Sequence, residues 1–298
     1  MARNAFGLEI YEIKDVVQDG SIRTVIRDMI SPILHHLGIS PTKTEKIIDE
    51  CLTLAKKYSS IVEYEKSAHE ILEREGVTKE IPKKLDNRAQ IMYSQVKDFV
   101  LKGSILDLGC GDGRLGELLS KNFKVILSDV YEHSYVKKTV LQFKLFGSTD
   151  DIPFEDDSFE NTLDLTVFHH SDVPIKTLKE SHRVTKNNGR VLVIESVYGV
   201  DGKELLAEER EKVKSYLELD AEKQRKVNIF FDHFYNRIIH FSEDPKTKVN
   251  VPFNFNTPEG WKKIFEENGF VQEKVIHLGS DQPTVPEYHT LHILRVKK

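Results

Sequence analysis

The stretch SILDLGCGDGRLGELLS, residues 104–120, constrains this chain more than any other. A short apolar run leads into glycines at alternate positions, Gly109, Gly111 and Gly113, and a helical pattern follows at once. Such glycines let a strand turn tightly into a helix and let backbone approach a ligand, while the helix start points unbonded amides at whatever sits there. The stretch therefore reads as one strand–turn–helix unit of an open parallel α/β sheet. Two patterns overlap in it: GxGxG from Gly109, and GxGxxG over Gly111, Gly113 and Gly116, the dinucleotide fingerprint.

Two acids weigh on the choice. Asp107 ends the strand, two residues before Gly109. A carboxylate there would repel a pyrophosphate but attract an amino or sulfonium group. Asp129 follows the apolar run VILS, 16 residues beyond Gly113, where its side chain can accept from two ribose hydroxyls. It lies only 13 residues beyond Gly116, short of the roughly 20 expected of a dinucleotide site. A nicotinamide oxidoreductase remains an alternative, but one that must ignore Asp107.

Downstream, apolar runs alternate with helical patterns as crossover units do. Strands are expected near 104–108, 124–128, 142–146, 162–167 and 190–196, with helices near 113–121, 133–140 and 173–184. Residues 1–85 read as a helical region that could cap a small molecule or dock a partner. In it Ser40 and Pro41 open a helix carrying Ile47, Cys51, Leu54 and Tyr58, an earlier helix carries Ile22, Ile26, Met29, Ile30 and Ile33, and residues 74–84 form a break. Residues 86–298 form the main domain. An insert at 199–256 within it holds a helical run and the aromatic segment FFDHFYNRIIHF; a helix at 257–269 and strands at 270–279 and 288–297 close the chain.

Composition narrows the classes. The formal net charge is −5 with 31% charged residues, so no basic face announces a nucleic-acid track, and nucleic acid is not an expected partner. The two cysteines, Cys51 and Cys110, form no metal motif and suit a reducing compartment. No run approaches the ~20 apolar residues of a membrane span and no leader pattern stands out, so no membrane association and a cytoplasmic location are expected. No metal is expected either: His170, Asp232 and His233 could be grouped on paper, but no ligand spacing such as HExxH supports them.

These residues resemble the class I S-adenosylmethionine-dependent methyltransferases, in the small-molecule branch of the ubiquinone/menaquinone-biosynthesis type. ILDLGCGDGRLGELL is similar to that family's VLDxGCGxGxxxxxL. DIPFEDDSFENTLDLTVFHH at 151–170 is similar to its LPFxDxSFDxVxxxxxLHH, and LKESHRVTKNNGRVLVIES at 178–196 to its LxExxRVLKPGGxLxIxE. The resemblance covers residues 86–196 and, more loosely, the last helix and two strands. It implies a Rossmann-like, seven-stranded, mostly parallel sheet flanked by helices, with the last strand antiparallel. It implies S-adenosyl-L-methionine as cofactor, with Gly109, Gly111 and Gly113 beneath its methionine and ribose, Asp107 and Asp129 at its charges and sugar, and Cys110, Val130, Asp151, Ile152 and Phe168 completing the pocket. The family's adenine-binding Asp is Ser148 here, and Asp150 is the expected substitute.

Methyl transfer is an in-line displacement that needs alignment more than a dedicated catalytic group, which leaves the acceptor half hard to read. His169 and His170, after the fourth strand, are candidate bases, as is His233 of the insert. Phe231, Phe234, Tyr235 and Arg237 are expected to line an acceptor site under a lid that excludes water, although the same pattern suits plain packing. His182 reads as a packing residue. The segment DLTVFHH stands where the family's nucleic-acid enzymes carry Asn/Asp-Pro-Pro-Tyr/Phe. A small organic acceptor is therefore expected, with a protein or peptide substrate, or a non-catalytic S-adenosylmethionine-binding protein, as alternatives; the oligomeric state is not legible.

Overall fold

In the computed structural model, which describes residues 7–146, 151–200, 202–205, 207–244, 247–279 and 287–298, seven strands build one sheet. They are β1 (Ser104–Leu108), β2 (Lys124–Asp129), β3 (Gln142–Leu145), β4 (Phe159–Leu165), β5 (Thr185–Ser196), β6 (Phe270–Gly279) and β7 (His289–Val296), in the order β3-β2-β1-β4-β5-β7-β6. β1 pairs in parallel with β2 and β4, β2 with β3, and β4 with β5. The chain enters at the centre, winds outward through β2 and β3, then returns to β4. The strand order thus reverses between β1 and β4, and the carboxyl ends of those strands flank the crevice where open α/β sheets hold ligands. β1 is buried after its first residue, because a central parallel strand is covered on both faces.

The described helices are, in chain order, α1 (Ile10–Gln18), α2 (Gly20–His36), α3 (Pro41–Lys57), α4 (Ile61–Arg74), α5 (Ile81–Val96), α6 (Arg114–Leu119), α7 (Pro174–Val184), α8 (Ala207–Lys212), α9 (Lys214–Leu217), α10 (Ala221–His233) and α11 (Pro258–Glu267). The chain divides into two units. One comprises residues 1–84, 196–255 and 278–289; the other comprises 85–195, 256–277 and 290–298 and carries nearly all of the sheet. The insert after β5 therefore clusters with the amino-terminal helices.

Within the helical unit, Asp19 caps α2 by accepting from the amides of Ser21 and Ile22, and the expected apolar stripe Ile22, Ile26, Met29, Ile30 and Ile33 is buried. α3 starts at Pro41, but its buried face runs through Ile47, Ile48, Cys51, Leu52 and Ala55, leaving Leu54 and Tyr58 partly exposed. α1 and α4 have no counterpart in the sequence reading.

Three boundaries differ from expectation in the sheet unit. The helix expected at 133–140 is only a 3₁₀ turn, Val136–Lys138. His133 Nδ1 takes the Tyr135 amide at 3.1 Å and the Thr139 hydroxyl donates to the Val136 carbonyl at 2.8 Å, so side chains capture the groups a helix would use. β5 begins at Thr185 rather than 190, crossing a register shift opposite Phe159/Asn161 with Asn188 at φ 62°. β4 likewise starts at Phe159 and stops at Leu165.

Candidate functional site

The turn after β1 has all three glycines in the left-handed region, Gly109 at φ 67°, Gly111 at 55° and Gly113 at 76°. Their reasons differ. A Cβ on Gly109 would stand 2.6 Å from Val167 Cγ2, so the end of β4 closes over it. One on Gly113 would meet Val136 and Leu127. One on Gly111 would meet nothing within 4 Å, which makes Gly111 the open member of the turn. Gly116, the last glycine of the dinucleotide pattern, packs α6 against Leu127 of β2, a role that either ligand class would require.

The turn is fixed from β2. The amides of Gly109 and Cys110 donate to the Ser128 carbonyl at 2.8 and 3.2 Å. Asp129 Oδ2 accepts from the Gly111 amide and Oδ1 from the Val130 amide, both at 2.7 Å. Burial pushes the Asp129 carboxyl up to about 6 although these amides favour its ionised form. Asp107 is 3% exposed, and its Oδ2 has no hydrogen-bond partner among the described residues. Burial, reinforced by the nearby charges of Asp129 and Asp112, raises it to about 7. Asp164 on β4, pushed by burial to about 8, receives one bond from the Ser181 hydroxyl at 3.2 Å. Among the described residues no cation of their own unit pairs with these buried acids, a costly arrangement unless a ligand completes it.

The residues after β2 shape the rim. Asp112 accepts from the Arg114 amide at 3.1 Å and pairs with its guanidinium at 2.6 Å, which lies 4.0 Å from the centre of the Tyr135 ring. Tyr131, raised by burial to about 12, adds a third backbone amide to Asp129. Asp112 and Tyr131 escaped the sequence reading; the only signal for either was closeness to the glycines and to Asp129.

At the end of β4, Thr166 takes φ 62°, a strained conformation for a β-branched residue. Its amide donates to the Ile194 carbonyl at 2.6 Å. The chain then passes its next amides to one carboxylate: Glu195 Oε1 accepts from Val167 at 3.1 Å and Phe168 at 2.6 Å, while Oε2 meets His169 Nδ1 at 2.6 Å. Glu195 is fully buried and His169 is 3% exposed. His170 is partly buried, its ring centre 4.0 Å from that of His169.

Other expected cofactor contacts fall as follows. Phe168 packs in the core against Trp261 and Phe265, with ring centres at 6.2 and 6.4 Å; the side chain over Gly109 is Val167. Ile152 joins the core cluster of Leu106, Leu108, Phe159 and Val184, its amide donating to Glu180 at 2.9 Å. Cys110 is partly buried and its thiol is pushed up by burial; Val130 and Asp151 are exposed. Ser148 and Asp150 lie outside the described residues. His182 packs edge-on to Phe270.

The insert's candidates belong to the helical unit. Phe231 and Phe234 are buried, Tyr235 is partly buried, and Phe230–Phe234 and Phe231–Tyr235 stack with centres 6.1 Å apart. α10 runs on into a π-helix, Phe234–Ile239. Arg237 donates to Glu65 of α4 at 3.2 Å and to the Val249 carbonyl at 2.8 Å; Lys248 meets the other Glu65 oxygen at 2.7 Å. His233 is fully buried, accepting from the Leu8 amide at 3.1 Å and standing 3.3 Å from Glu65. Burial raises the Glu65 carboxyl, but His233, Arg237 and Lys248 outweigh it and hold it at about 2. Asp232 binds Asn236 at 2.7 Å, so the paper grouping of His170, Asp232 and His233 draws on both units.

Residues 106–193 match the methyltransferase domain family. An uncharacterized protein of Methanocaldococcus jannaschii is 26% identical over 117 residues, 38% of this chain and 56% of that protein; the chain spans about half the length of this curated relative. Among solved structures, a possible histamine N-methyltransferase of Thermotoga maritima is 20% identical, with 76% and 98% of the two chains covered and a TM-score of 0.48. A Burkholderia thailandensis 1,6-didemethyltoxoflavin N1-methyltransferase with bound S-adenosylhomocysteine is 12% identical, with 71% and 77% covered and a TM-score of 0.45. No described helix is long and apolar enough to cross a membrane. The stretch similar to the methyltransferase domain family, residues 106–193, runs from β1 through most of β5 and contains the glycine turn and the strand reversal between β1 and β4.

Proposed function

We propose that the protein transfers a methyl group from S-adenosylmethionine to a small organic acceptor. The observation that carries this reading is the pairing of an open glycine with buried acids that lack a cation: Gly111 faces free space, and Asp107 keeps an unpartnered oxygen 3.1 Å from where a Cβ on Gly116 would stand. A cationic nucleoside would supply the missing charge, whereas the pyrophosphate of a dinucleotide would add repulsion. In this reading Asp129 keeps its three amide bonds and offers its remaining lone pair to the ribose. Bound S-adenosylmethionine supplies the electrophilic methyl; the chain's own part is to align it, and Asp107, Asp129 and the turn do so from the switch point of the sheet.

The acceptor is the finer half of the proposal. The net charge of −5 speaks against a polyanionic substrate, which leaves a metabolite-sized acceptor ahead of nucleic acid. Titration calorimetry with S-adenosylmethionine, S-adenosylhomocysteine and NAD tests the cofactor half. Heat with the first two and none with NAD supports the reading, and the reverse overturns it. Transfer of a labelled methyl group into the metabolite fraction of an extract supports the acceptor half, and transfer into protein alone overturns it.

A further inference from the structure

The helical unit holds a cleft of about 350 Å³ where α1, α2 and α3 meet, and every residue lining it belongs to that unit. Helix spacing explains its walls. Gly20, Arg23 and Arg27 recur at steps of three and four along α2, as do Asp49, Thr53 and Lys56 along α3, so each set shares one helix face. The floor is apolar: Val17 of α1 and Leu52 of α3, both buried. The three cations of the walls differ in state. Arg27 is paired with Glu45 and Asp49. Arg23 and Lys56 meet no carboxylate among the described residues, and the acids closest to Arg23 in the chain, Asp15 and Asp19, are taken by Lys226 at 3.2 Å and Lys223 at 3.0 Å. Arg23 is nevertheless held in place. Its Nη1 donates to the Val17 carbonyl at 3.0 Å, and its Nη2 lies 3.8 Å from where a Cβ on Gly20 would stand. The guanidinium is thus fixed over the start of α2 before any ligand arrives, with Nη2 and Nε still able to donate.

We propose that this cleft binds a small organic phosphate: a phosphate monoester carried on an apolar body. Arg23 supplies paired donors to the phosphate oxygens, Lys56 a second positive charge and Thr53 a hydroxyl, while the body lies on Val17 and Leu52. Two unpaired cations match the charge of about −2 on a phosphate monoester. Asp49 would repel an anion, but it is engaged by Arg27, which directs the phosphate to the other end of the cleft. The volume falls in the range of small-molecule sites, roughly 300 to 1,000 Å³. The chain as a whole is acidic, at −5, so its long-range field does not draw anions in and recognition rests on these local donors. No residue of the glycine turn takes part, and the proposal stands whether or not the chain transfers methyl groups.

Titration calorimetry of the full chain at about pH 7.5, where a phosphate monoester is a dianion, tests the site with phenyl phosphate, inorganic phosphate and benzoate. Phenyl phosphate is expected to bind saturably, and more tightly than inorganic phosphate, which lacks the apolar body, or benzoate, which carries a single charge. Lys56→Glu and Arg23→Ala should each weaken it by about 10-fold or more. Lys57→Glu makes the same charge change at an exposed lysine outside the cleft, and should alter affinity by less than about twofold. In ¹⁵N-labelled protein, phenyl phosphate should shift the amide signals of Gly20, Thr24 and Thr53. Absence of saturable heat, benzoate binding as tight as phenyl phosphate, a loss in Lys57→Glu equal to that in Lys56→Glu, or shifts confined to residues 107–113 would each overturn the proposal. Should Arg23→Ala fail to fold, Lys56→Glu decides, since that side chain is exposed.

Discussion

Two buried carboxylate sites, one in each unit, solve the same problem in opposite ways. Glu65 is surrounded by partners from its own unit, the cations Arg237 and Lys248 and the His233 ring, whose own pKa burial lowers, and is held at about 2. Asp107 and Asp129 are also buried, yet among the described residues backbone amides are the partners of Asp129 and Asp107 Oδ2 has none, and the two stand at about 7 and 6. A buried charge whose partners come from the chain is architecture; a buried charge without them marks a place where the partner arrives from outside. The difference separates the Arg237 and His233 signals, which the helical unit uses to join α4, α10 and the 248 segment, from the acids of the glycine turn.

The comparison breaks most easily at Glu65. Replacing it by Ala strands two cationic groups, Arg237 and Lys248, in the helical unit, and denaturation followed by circular dichroism should show a loss of about 3 to 5 kcal/mol. Asp129→Ala should leave the fold cooperative but weaken S-adenosylhomocysteine binding by about 10 to 100-fold, the equivalent of one charge-assisted bond. Undiminished affinity in calorimetry would place the ribose elsewhere.

The two sites also predict opposite pH trends. Glu65 is lowered, so its contribution is present above about 4.5 and is lost as pH falls toward about 2. Asp107, Asp129 and Asp164 are raised, so their contribution is full below about 4 and is lost as pH rises through about 6 to 8. Melting curves of the ligand-free protein should therefore fall off on both sides, with the alkaline loss reduced in Asp107→Asn. The smallest effect is expected at Gly111→Ala. Its Cβ meets no atom, so thermal unfolding should reveal only the roughly 1 kcal/mol of placing alanine at positive φ.

What could be read from the sequence was local. Gly109, Gly111, Gly113 and Asp107 occupy one short stretch whose meaning depends on the strand before and the helix after, and Asp129 follows at a set distance on the next strand. The Glu195–His169 contact joins residues 26 apart, one on β5 and one in the 3₁₀ turn after β4, and nothing in either segment announces the other. Val167 over Gly109 is a second such meeting. The division into units was hidden for the same reason: residues 196–255 and 278–289 cluster with the first 84 through contacts between segments far apart in the chain. The aromatic segment at 230–241 looked equally like packing and like a lid because burial, not composition, tells the two apart.

The most direct measurement is the proton balance of S-adenosylmethionine binding, by calorimetry near pH 6.5 in two buffers of different ionisation heat. A cationic ligand completing Asp107 and Asp129 must drive off the protons that burial keeps on them, so binding should release protons, tighten as pH rises from 5.5 to 7.5, and lose most of this dependence in Asp107→Asn. Binding without proton release, or tighter binding at acid pH, would contradict the account.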